Sequence, residues 1–172
     1  MNAVSEFSRV HDLRKLPNRP VRIEANEQER AALARRFDLV RIDRLGAQLQ
    51  LEADGDTVDV TGTIDAAWVQ SCAVSGDDLP VERAEAISFR FVPEPQDATH
   101  DEEIDLEEDE LDEIFYTGTS LDLGEAVAQT LALCVDPYAT GPDADEVRAE
   151  TGLDNPEPTG PFASLAALTK KT

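Results

Sequence analysis

The sequence predicts an α+β protein: a curved antiparallel sheet, barrel-like in outline, with one covering helix, an acidic mobile loop and a disordered C-terminal tail. Three observations carry this. Thr57 to Val92 reads as a hairpin whose strands alternate apolar and polar residues. Shorter alternating runs precede it at 21–25, 39–44 and 47–53. After it, Leu123, Val127, Leu131 and Cys134 fall on one helical stripe.

In the first hairpin strand, 57–65, Val58, Val60 and Ile64 share one face. The return strand, 81–92, sets Ile87, Phe89 and Phe91 on one face. The corner, Cys72 to Pro80, carries Ser75-Gly76 and Leu79-Pro80 as turn signals. Asp54-Gly55-Asp56 is a tight turn that makes 47–53 the neighbour of 57–65. Gly46 breaks 39–44 from 47–53, and a short opening strand is expected at Glu6–Val10. Asn26 caps a helix reaching about Phe37, with Glu29 completing a capping box. Ile114 to Thr117 is a candidate to pair back onto the sheet. Ser120 is the expected N-cap of the covering helix, 121–134, which Pro137 stops. The domain expectation is one α+β domain over 1–140 with an acidic insertion at 94–113. Residues 141–172 form the tail, with a short helix at 143–151 and a terminal amphipathic segment.

The charge is lopsided. The 172 residues hold 37 acids against 15 Lys and Arg, a formal net charge of −22. Ten of the fifteen basic residues precede position 45, and twelve acids with no Lys or Arg lie between Glu94 and Glu113. An excess of this sign opposes unaided nucleic-acid binding, which phosphate neutralisation drives, and attracts basic proteins. Glu102, Glu103, Asp105, Glu107, Glu108, Asp109, Glu110, Asp112 and Glu113 are therefore the candidate partner-binding residues. Arg30, Arg35 and Arg36, on the outer face of the first helix, are candidates for RNA contact, against the alternative of a solvated face.

Signals for chemistry are sparse. No P-loop, G-x-S-x-G or G-x-G-x-x-G occurs, and the acidic run lacks the central Gly of a calcium loop. Cys72 and Cys134 lie far apart and no C-x-x-C is present, so the reading is two reduced thiols, with no metal and no cofactor. No apolar run approaches the roughly 20 residues that span a bilayer. A cytoplasmic, non-enzymatic protein is the expectation.

The ordered set of signals resembles one family. Val60-Thr61-Gly62-Thr63-Ile64, Cys72 at the corner, Phe89-Arg90-Phe91, Leu121-Asp122-Leu123-Gly124-Glu125, Leu131-Ala132-Leu133 and Asp136-Pro137-Tyr138 follow one another as in the YceD family, the large ribosomal RNA subunit accumulation proteins. Pro161 to Leu168 is similar to the tail of its alphaproteobacterial branch. Many members carry C-x-x-C at the corner; here Ser75 takes the second position. The resemblance implies a non-enzymatic assembly factor for the large ribosomal subunit, supporting 23S ribosomal RNA accumulation. Its partner would be a basic ribosomal protein or a precursor particle. Direct RNA binding through the basic N-terminal region is one alternative. A small metal-dependent hydrolase using clustered acids is another.

Overall fold

The computed structural model describes residues 5–95 and 112–152. The acidic loop up to Leu111 and the tail beyond Gly152, about which mobility and disorder were expected, lie outside the described residues. The chain divides into two units. One is formed by 1–70 with 80–136, the other by 71–79 with 137–172.

The larger unit holds a five-stranded sheet in the order β2-β3-β4-β5-β6: β2 (Val21–Glu24), β3 (Arg41–Asp54), β4 (Thr57–Ser71), β5 (Asp78–Pro93) and β6 (Asp112–Tyr116). β2–β3 and β3–β4 pair antiparallel, and β5–β6 pairs parallel, with Phe91 opposite Ile114. The sheet is thus mixed, and the all-antiparallel expectation is corrected. It is also not closed into a barrel, since β2 and β6 stand at its two edges. The parallel pair is possible because 18 residues separate β5 from β6, enough for a crossover that a tight turn forbids.

β3 is continuous through Gly46, where a break was expected. The register shifts between Ile42 and Arg44, a bulge that moves the buried parity from Ile42 to Leu45, Ala47, Leu49 and Leu51. The change of phase looks like two strands in the sequence. β4 likewise runs on past Asp65. There Ala66, Ala67, Trp68, Val69 and Gln70 are buried on both faces, which removes the alternation. Buried Trp68 donates to Gln70 Oε1 at 2.9 Å, and Gln70 Nε2 donates to the Asp136 carbonyl at 2.6 Å, so the polar atoms inside are satisfied.

Two helices pack on the sheet's core. In α1 (Glu27–Arg36) the capping box forms as expected: Asn26 Oδ1 accepts from the Glu29 amide, and Glu29 Oε2 accepts from the Asn26 amide. Leu33 and Ala34 face inward. α2 (Leu123–Cys134) buries Leu123, Val127 and Leu131 completely. Its cap is Asp122, not Ser120, because Ser120–Asp122 is a strand, β7. β7 pairs antiparallel with β1 (Val10–Asp12) in a separate two-stranded ribbon. The opening strand is therefore later than 6–10. Phe7 is instead plugged into the core, and the Arg9 amide donates to Asp122 Oδ1 at 2.7 Å.

The smaller unit joins the corner 71–79 to 137–144 and ends in α3 (Ala144–Thr151), the short helix expected there. The Ala73 amide donates to Ala139 O at 2.9 Å. No helix among the described residues is long and apolar enough to cross a membrane.

Candidate functional site

Of the nine candidate partner-binding acids, Asp112 and Glu113 are described; the seven from Glu102 to Glu110 are not. Both described acids are exposed at the start of β6, where the strand enters the edge of the sheet. They border a groove of about 590 Å³ between the β5–β6 margin and α2. Its apolar lining includes Ile87, Ile114, Ala126 and Leu133, and its carboxylates are Glu85, Asp112 and Glu113, opposed by Arg83 alone. Phe89, also in the lining, meets Phe91 edge to face at 5.6 Å, which stiffens the floor. Leu133 is 80% exposed, a large apolar side chain held in water at the groove's helical wall. Cys134 Sγ donates to Glu85 Oε2 at 3.8 Å, and burial, with that carboxylate nearby, pushes its thiol up and keeps it neutral. The arrangement offers apolar contact inside a negative rim. Among the described residues no group of three potential metal ligands is assembled.

The three candidate RNA-contact arginines are held in different ways. Arg36 donates to both oxygens of Glu125, at 2.8 and 3.0 Å, and to Glu6 at 3.0 Å. Arg30 donates to the Ala25 carbonyl at 2.7 Å, and Arg35 is exposed. A second bidentate pair, Arg9 with Glu29 at 2.8 and 2.9 Å, lies beside the first, with the Arg9 guanidinium 4.6 Å over the Phe7 ring. These arginines tie the N-terminal segment to α1 and α2.

The Arg36 pair makes a pH-dependent prediction. Arg36 foremost, then the Ser5 and Gln129 hydrogen bonds, hold the Glu125 carboxyl below its ordinary 4.5 against the opposing effect of burial. A depressed acid contributes stability above its unfolded pKa and loses it as pH falls through the folded one. Arg36→Gln should cost about 1 kcal/mol at neutral pH, as a half-buried bidentate pair. In urea titrations that difference should close as the pH falls below the ordinary carboxyl value and through the depressed one. A gap that persists in acid would assign the loss to packing.

The corner holds a second polar cluster, entirely within the smaller unit. Cys72 is 3% exposed. Its sulfur accepts from the amides of Val74, Ser75 and Gly141 at 3.5, 3.4 and 3.3 Å. The Ser75 hydroxyl first, then these N–H groups, bring the thiol from 9.0 down to about 6. The sulfur lies under a thin cover, so desolvation opposes them only weakly. Ultraviolet thiolate titration in a Cys134→Ser background should show an ionisation near 6, and Ser75→Ala should move it upward. A thiol that stays protonated past neutral pH would contradict the geometry.

Sequence reading reached Asp112 and Glu113 but neither the groove nor the amides that cradle Cys72, which it read as an ordinary reduced thiol. The groove's walls come from β5, β6 and α2, and only the parallel pairing brings them together.

Fold and site together define an acidic α+β protein with an apolar groove rimmed by carboxylates. Residues 60–169 match the family model described as large ribosomal RNA subunit accumulation protein YceD. That is more than half of the chain, and the chain belongs to the YceD family. No curated protein and no solved structure matches it. The family's description ties the chain to accumulation of large-subunit ribosomal RNA. Two of the motifs that carried the resemblance occupy positions with a physical role. Gly62 lies where β3 and β4 approach closely, and Asp122 with Gly124 receives the N-terminal segment at the start of α2.

Proposed function

We propose that the protein acts without catalysis in assembly of the large ribosomal subunit, by holding a basic ribosomal protein or by joining a precursor particle. The observation that carries this reading is the charge: twelve acids and no base between Glu94 and Glu113, in a chain of net charge −22. Opposite charge gives fast, salt-sensitive association. The family's description supplies the ribosomal setting. Direct RNA contact through Arg30, Arg35 and Arg36 has weaker support, because Arg36 is already engaged by two carboxylates and Arg30 by a backbone carbonyl.

The test is affinity capture with the full chain at low salt, beside a variant in which the acids from Glu102 to Glu110 are replaced by Gln and Asn. The unaltered chain should recover a basic large-subunit protein or a precursor particle. Recovery should fall with added salt and in the neutralised variant. Capture of neither, or capture indifferent to neutralisation, would overturn the reading.

A further inference from the structure

Among the described residues the sheet has an open margin. β5 begins at Asp78, yet β6 pairs with it only from Phe89 to Pro93. Among the described residues no strand lies on that side of β5 before Phe89. Glu82 to Ala86 are exposed there, and no described strand pairs with the backbone groups on that side. The groove follows this margin: Glu85, Ala86, Ile87 and Ser88 line it before β6 begins at Asp112.

We propose that this margin receives an extended cationic segment of a basic protein, which adds as a strand in line with β6 and sets an apolar side chain among Ile87, Ile114 and Leu133. Strand addition supplies main-chain hydrogen bonds, and the period of two sends alternate side chains into the groove and outward. The inward positions meet apolar residues, which accounts for a leucine kept 80% exposed. The outward positions meet Glu85, Asp112 and Glu113, whose only basic neighbour in the lining, Arg83, is itself 3.8 Å from Glu85. A segment alternating apolar residues with Lys or Arg satisfies both. A second copy of this chain would present the same edge, but two bodies of charge −22 repel. The proposal rests on the reading that the partner is basic and adds where and in what form it binds.

The experiment uses the full chain and a fluorescent peptide of alternating valine and lysine. A second peptide has the same sequence with its alternate backbone amides methylated. The unmethylated peptide should bind and slow amide exchange across 82–88. Methylation, which removes strand pairing, should weaken binding by about tenfold. Leu133→Lys should weaken it similarly. Val40→Lys adds the same charge at an exposed site outside the groove lining and should leave binding unchanged. Equal binding of both peptides, equal effects of the two substitutions, or no binding would overturn the proposal. None of these touches the assembly reading, which the neutralised acidic variant tests separately. A concentration-dependent dimer abolished by Leu133→Lys would give the margin to a second copy and equally overturn it.

Discussion

Gly124→Ala is expected to lower the melting temperature, although helix propensity argues the reverse. In an exposed helix the change would gain about 1 kcal/mol. At this position an added Cβ would lie 2.3 Å from the Phe7 carbonyl oxygen and 2.9 Å from the Arg9 amide nitrogen. Both are backbone atoms, so no side-chain rotation relieves the overlap. The N-terminal segment must lift away from α2. Phe7, which is fully buried, would then leave the core. Emptying a phenylalanine site costs about 3–5 kcal/mol, which outweighs the propensity gain. A net loss of about 2–4 kcal/mol lowers the melting temperature of a chain this size by roughly 4–16 °C. Hydrogen exchange should quicken at Arg9 and Leu123, whose amides donate to Asp122 and to the Arg9 carbonyl. Unchanged melting with a protected Arg9 amide would refute the close approach.

Gly62→Ala should be at least as damaging. Gly62 lies in β4, opposite Leu49 of β3, and its added Cβ would fall 2.1 Å from the Gln48 carbonyl oxygen. Conformational entropy alone would favour alanine by about 0.5–1 kcal/mol. The clash is again with backbone, now between two neighbouring strands of a sheet whose core face holds Leu49, Val60 and Ile64. Overpacking typically costs about 1–3 kcal/mol where side chains can adjust, and here they cannot. The expected loss is about 3 kcal/mol or more, read as a lowered urea midpoint or as failure to accumulate as soluble protein. A midpoint within error of the parent would show that the strands can separate at this point without cost.

These glycines also show what the sequence could not display. Gly62 reads as a gap in an alternating strand, and Gly124 as a weak residue in a helix. Only the neighbouring backbone makes either one necessary. Features decided within a few residues were legible: the Asn26–Glu29 capping box, the stripe of Leu123, Val127 and Leu131, and the inward faces of Val58, Val60, Ile87, Phe89 and Phe91. Those decided by distant partners were not. Asp122 displaces Ser120 as cap because β7 is recruited by β1, more than a hundred residues away. The bulge at β3 disguised one strand as two. Acidic character at Asp112 and Glu113 was plain, but the groove beside them depends on a parallel pairing across a connection too long for local pattern to resolve.

The β1–β7 ribbon imposes an order on synthesis. Arg9 can reach Glu29 once α1 is made, but Arg9 and Val10 find their backbone partners only in Asp122 and Leu123, so the docking of this segment is completed only when the covering helix follows. At roughly 5–20 residues per second, the wait between Val10 and Cys134 is about 6–25 s. During it Phe7, destined for the interior, waits for the part of the core that α2 supplies.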